Sequence, residues 1–141
     1  MNNLNVILED FEKIAKACDD LDGKTVHIGI IGGGDAAKIA HIHEYGDGHM
    51  PERSFIRASF DQDQSKLADI VEKSIDNVVT KGSSADAAMN AVGAQGAQMV
   101  QNFIDENRVT PPSDFSRKTQ HTTLFETGTH IRDRIAYEVE G

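Results

Sequence analysis

From Ser83 to about Asn107 the sequence carries one long helical pattern built largely of small side chains, and it limits the fold more than any other stretch. Ala88, Val92, Gly96, Met99, Val100, Phe103 and Ile104 recur at helical spacing. Ala85, Ala87, Ala88, Ala91, Gly93, Ala94, Gly96 and Ala97 occupy most of its first half. Each glycine costs about 1 kcal/mol of helix propensity relative to alanine. A helix that accepts this cost is predicted to let a neighbouring element approach its backbone closely. Ser83 or Ser84 is placed to cap the helix, and Asp86 suits the positive end of its dipole.

The remaining elements follow from periodicity and breakers. Leu4, Ile7, Leu8, Phe11, Ile14, Ala15, Cys18 and Leu21 recur at spacings of three and four, which predicts an amphipathic helix over 3–21. Cys18 falls on its apolar face and reads as a small core residue. Asp22-Gly23 ends this helix, and Thr25 to Ile31 then reads as a strand with Val26, Ile28 and Ile30 on one face. Gly32-Gly33-Gly34-Asp35 breaks the strand, and Ala36 to Tyr45 forms a short helix with Asp35 as its N-cap. Phe55 to about Thr80 reads as one long helix, closed by Lys81-Gly82. Thr110-Pro111-Pro112-Ser113 forbids further helix. The alternating run Arg134 to Val139 reads as the last strand. The expectation is a single α+β domain over 1–141: a small, mainly antiparallel sheet packed with an N-terminal helix and two long helices. Mobile loops are expected near 46–52 and 110–123.

Charge and cysteine content narrow the function classes. The chain has 141 residues and a net charge of −9 with histidines neutral. That opposes tight, sequence-specific nucleic-acid binding, which needs clustered Lys and Arg, but suits a wall past which DNA slides. Cys18 is the single cysteine, so no intrachain disulfide forms. No run approaches the roughly 18 apolar residues of a membrane helix.

Three patterns invite a chemical reading. Gly32-Gly33-Gly34-Asp35-Ala36-Ala37 follows a strand and opens a helix, as a nucleotide-binding turn would. Asp35 places a negative charge where phosphates would sit, and no second strand ending in an acid follows at the right distance. A small nucleotide- or ligand-binding domain using this turn is the alternative function. His41-Ile42-His43-Glu44 suggests a metal site, but residues two apart on a helix point to different faces. These His and Glu side chains are expected to face solvent or a neighbouring subunit, so no metal and no cofactor is assigned. Ser, His and Asp are present without a local nucleophile signature, so no catalytic residue is assigned and the chain is read as a non-enzyme.

Taken in order, three blocks resemble the tail-completion or neck proteins of tailed bacteriophages. The first is Ala36-Ala37-Lys38-Ile39-Ala40-His41-Ile42-His43-Glu44-Tyr45-Gly46. After a Gly-rich loop comes Met50-Pro51-Glu52-Arg53-Ser54-Phe55-Ile56-Arg57, and after a long helical middle comes Thr123 to Val139, with Thr127-Gly128 and Tyr137 in family-like places. Thr123 stands where the family usually has Pro, and Arg134 where Ser is common. The resemblance implies a structural subunit of a ring, usually sixfold, at the head-tail junction of the virion, made in the cytoplasm of the bacterial host. Its partners would be copies of itself and the adjoining neck, tail-tube or tail-terminator proteins, with DNA passing through unrecognised and no membrane involved. Glu44, Tyr45, Arg53, Phe55, Arg57, Thr127 and Gly128 are the expected interface residues.

Overall fold

In a computed structural model of the chain, residues 3–49, 51–106, 108–110 and 131–141 are described. They fold as α1 (Asn3–Leu21), β1 (Thr25–Ile30), α2 (Gly34–Tyr45), α3 (Ile56–Gln62), α4 (Gln64–Lys81), α5 (Ala85–Asp105), α6 (Ile131–Arg134) and β2 (Ile135–Glu140). This is an α+β fold with a small two-stranded sheet.

The small-sided helix α5 is the centre of the molecule. The strands β1 and β2 pair antiparallel with Thr25 opposite Glu140 and Ile30 opposite Ile135. The period of two puts Val26, Ile28 and Ile30 on one face with Val139, Tyr137 and Ile135. That face lies on α5 at its two glycines. A Cβ on Gly93 would stand within 2.8 Å of three carbons of the Tyr137 ring, and one on Gly96 would overlap Cδ1 of Ile28. The glycines therefore admit the sheet, and their propensity cost has a packing reason. The Tyr137 hydroxyl donates to Asn90 Oδ1 at 3.1 Å, which fixes the ring over the helix.

Ser84 caps α5: its Oγ accepts the Ala87 N–H at 3.1 Å, and Asp86 sits in the first turn. Gly82 ends α4 in the left-handed conformation (φ 68°), as Lys81-Gly82 predicted. The main core holds Phe55, Val100, Phe103, Ile104, Val109, Ile131 and Ile135, with Ala40 and Ala97. A smaller cluster of Ala17, Val78 and Ala88 joins α1 to α4 and α5.

Four expectations are corrected. The helix expected from Phe55 to Thr80 is two helices, broken at Asp63 (φ −105°, ψ 27°). The Asp63 carboxylate is buried and accepts both terminal nitrogens of Arg108 at 2.9 and 3.0 Å. Asp35 is not an N-cap. The helix starts at Gly34 with Gly33 at the cap (φ 72°, ψ −145°), a conformation glycine reaches without strain, and Asp35 lies in the first turn. Cys18 is exposed rather than in the core, because α1 turns Ala17 inward instead. Arg134 belongs to α6, and the last strand begins at Ile135. The loop expected near 46–52 has no helix or strand at 46–49 and 51–52, whereas 111–123 lies outside the described residues.

Candidate functional site

The first two sequence blocks meet at one corner of the fold, where the end of α2 faces the start of α3. Gly46 turns the chain with φ 73°, and its N–H donates to the Ile42 carbonyl at 2.7 Å. The loop then runs back alongside α2, and the Arg53 N–H donates to the His43 carbonyl at 2.6 Å. This return brings residues 54–57 to Glu44.

Glu44 is 5 % exposed, and both of its carboxylate oxygens accept hydrogen bonds. Oε1 accepts the N–H of Phe55 at 2.7 Å and also that of Ile56. Oε2 accepts the Ser54 hydroxyl at 3.0 Å and Arg57 Nε at 3.0 Å. A carboxylate from another helix thus caps α3 and meets the positive end of its dipole. The Ser54 Oγ in turn accepts the Ala58 N–H at 3.1 Å. Burial pushes the Glu44 carboxyl up. The N–H groups of Ile56 and Phe55, then Arg57 and Ser54, outweigh burial and hold it below its ordinary value. Glu44 is therefore ionised at neutral pH and cannot act there as a proton donor.

Arg57 closes the corner from outside. Its Nη2 donates to the Glu44 carbonyl and, at 2.8 Å, to Glu52 Oε1. Its Cζ lies 4.3 Å from the centroid of the Tyr45 ring, and the His41 ring lies 4.8 Å from the same ring. His41, Tyr45 and Arg57 form a surface of flat groups in contact, the two rings tilted by 43°, beside a shallow hollow of about 230 Å³ that Ile30, Ala40 and Ile56 also line. Tyr45 is 55 % exposed.

The expected interface residues separate into three groups. Tyr45 and Arg57 reach the surface, and Arg53 is half-buried. Phe55 and Glu44 are interior: Phe55 is fully buried in the main core, and Glu44 organises the backbone. Thr127 and Gly128 lie outside the described residues. His43 is also buried, against the expectation that the His and Glu side chains of this segment face outward, and His41 alone of the three is exposed. The α2 register explains this: Ala40, His43 and Glu44 share its inner side.

The glycine turn opens α2 at the surface. Gly32, Gly33 and Gly34 have φ of 95°, 72° and 79°, and nothing lies within 4 Å of a Cβ built on any of them. A side chain on any of them would stand in open space, and Asp35 is the acidic group of the first turn. Among the described residues no group of three or more His, Cys, Asp or Glu side chains is placed to hold a metal ion, and no helix is long and apolar enough to cross a membrane.

A second surface was not singled out from the sequence. On α1, Ile7, Leu8, Phe11 and Ile14 are 63 %, 51 %, 69 % and 50 % exposed. The periodicity that predicted the helix marked these positions as apolar, but it does not say on which side the body lies. No family model, curated protein or solved structure matches the chain.

Proposed function

We propose that this chain is a structural subunit of a tailed-bacteriophage neck or tail-completion ring, acting by fitting its surface to copies of itself and to adjoining tail and neck proteins. One observation carries the reading. The two neighbouring blocks on which the resemblance rests are a single physical unit, because Glu44 of the first caps and pairs with Ser54 to Arg57 of the second. Residue types recurring together at this distance have a common reason, namely a carboxylate that needs both backbone donors and an arginine. The net charge of −9 suits a subunit bordering a DNA passage, where attachment would hinder transit. Heterologous contact between identical subunits closes such a ring, with Tyr45, Arg53 and Arg57 at the corner offered to a neighbour.

The test is removal of the gene from the phage genome that encodes it. Filled heads and finished tails then accumulate unjoined, and supplying the chain in trans restores joined particles. Joined, infectious particles formed without the chain would reject the reading.

A further inference from the structure

Strand β1 has one unpaired edge. The sheet has two strands, so β2 pairs with one side of β1 and the other side ends the sheet. In an antiparallel ladder alternate residues turn their N–H and C=O away from the partner strand. On β1 these outward groups have no backbone partner among the described residues. At Gly29 the strand is buried, and a Cβ there would lie 3.6 Å from Ile56 Cδ1. The accessible stretch of the edge is therefore Thr25 to Ile28.

A groove of about 440 Å³ runs beside this stretch. Val26 and Ile28 line it from β1, Phe60 from α3, Leu67 and Val71 from α4, and Val92 from α5. All of these are apolar, and all but Val92 are only half-buried. A third strand would lie about 4.8 Å beyond β1 and turn its alternate side chains to the face that carries Val26 and Ile28. Those side chains would enter the groove. Natural proteins guard an open edge with Lys, Pro or a bulge. Thr25-Val26-His27-Ile28 has no Lys or Pro, and its register with β2 is unbroken. Lys24, next in sequence, is held elsewhere: Nζ donates to Asp86 at 2.7 Å and to the main-chain oxygen of Gly141 at 3.1 Å.

The unpaired main-chain groups select the occupant. A helix satisfies its own backbone and has no row of N–H and C=O groups to offer an edge. A strand of a second folded copy is also unsuited. In each copy β1 and β2 lie on their own α5, with Ile28 at Gly96 and Tyr137 at Gly93. A strand brought in with that helix beneath it would drive the helix against α4. The fitting occupant is an extended segment with no helix layer of its own. We propose that the β1 edge from Thr25 to Ile28 and the groove beside it are a docking site for an extended segment of another protein, which adds as a third strand and places apolar side chains, at alternate positions, between β1 and α4. Main-chain pairing supplies affinity in such contacts, and the groove selects the side chains. The site shares no residue with the hollow at the Glu44 corner and does not depend on the ring reading.

The experiment titrates the full chain with a blocked peptide of alternating Val and Thr, and with two forms of it, one N-methylated on every Val and the other on every Thr. Residues on one face of a strand also turn their N–H groups to one edge. One methylated form therefore keeps the donors that face β1, and the other loses them. The first is expected to bind as the parent does, and the second at least about tenfold more weakly. Amide exchange at alternate residues of β1 should slow when the parent binds. Val71→Ser, at a half-buried position, should weaken the parent at least about tenfold as well. If that variant fails to fold, the methylated pair still decides on the unaltered chain. Equal binding of the two methylated forms, or no binding of the parent at about 1 mM, overturns the proposal. Self-association of the chain that Val71→Ser abolishes would assign the groove to a second copy and overturn it.

Discussion

The Glu44 carboxylate and the Arg57 guanidinium lie thirteen residues apart in sequence and 3.0 Å apart in space, one buried and the other half-exposed. The asymmetry decides what the pair does. Exposed ion pairs contribute little, so its weight comes from the backbone N–H groups of Phe55 and Ile56, which have Glu44 as their acceptor.

Replacing Glu44 by Ala is therefore expected to cost about 3 kcal/mol, because it leaves buried donors without an acceptor. Glu44→Gln is milder, since an amide oxygen in the place of Oε1 still accepts both N–H groups and only the acceptor toward Ser54 and Arg57 is lost. Urea denaturation of the two variants checks the order. A cost below about 0.5 kcal/mol for Glu44→Ala would mean that water serves the donors equally well.

The same carboxylate sets an acid limit on stability. Its folded pKa is depressed, so the unfolded state binds more protons and stability rises with pH through that range. The contribution is complete above the ordinary carboxylate value, about 4, and is lost as pH falls through the lower folded value. Asp63, held down chiefly by its hydrogen bonds from Arg108, acts in the same direction. Thermal melts between about pH 6 and pH 2 should show a falling melting temperature, with a shallower acid limb in Glu44→Gln.

Gly93 and Gly96 are expected to differ although both face the sheet. A methyl at Gly93 meets the Tyr137 ring, which its hydroxyl bond to Asn90 anchors. Gly93→Ala should cost about 1–3 kcal/mol of strain, exceeding the gain of about 1 kcal/mol in helix propensity. A methyl at Gly96 meets only the far end of the Ile28 side chain, which can turn away. Gly96→Ala should therefore lie near neutral. Midpoints of urea unfolding for the two variants give the comparison directly.

Helix α5 shows how far pattern reading reaches. Its span, its serine cap, its glycines and its apolar face are all local properties, and they appear in the structure nearly as the spacing predicted. Asp22-Gly23 and Lys81-Gly82 end their helices for equally local reasons. The break at Asp63 was not legible, because its partner Arg108 is forty-five residues away and no period records it. Cys18 failed for a related reason. Spacing identifies an apolar face but not the side on which the body lies, and Ala17, a weakly apolar neighbour, makes the contact instead. At the candidate site, the sequence blocks were visible but the roles were not. Glu44 and Phe55 were expected at an interface, although a helix start with Phe55 in the core fits the sequence equally, and the return of the loop puts both inside.

The Asp63–Arg108 pair offers a test of that distant constraint. Asp63 is nearly buried, whereas Arg108 is partly exposed and also reaches Gln62 and Glu106. Arg108→Ala strands a buried carboxylate and is expected to cost about 2 kcal/mol. Asp63→Ala leaves Arg108 with water and its other partners and favours helix, so it should cost less. The two single variants, compared by thermal unfolding, give the order, and the reverse order would show that the break itself stabilises the fold.

Folding and assembly should separate at Tyr45. Its ring is exposed and its contacts, Arg57 and His41, are themselves at the surface. Tyr45→Ala removes a cation–π contact worth about 0.5–1 kcal/mol at such a site, so the melting temperature should barely move. If the corner meets a neighbouring subunit, an aromatic side chain beside an arginine is the kind of residue whose loss weakens an interface most. Particle joining should then fall at least about tenfold, the factor that about 1.4 kcal/mol of lost interface energy gives. Glu44→Ala should lower stability and joining together, through the fold. Unchanged joining in Tyr45→Ala would place the subunit contact elsewhere, leaving the corner as a purely internal brace between α2 and α3.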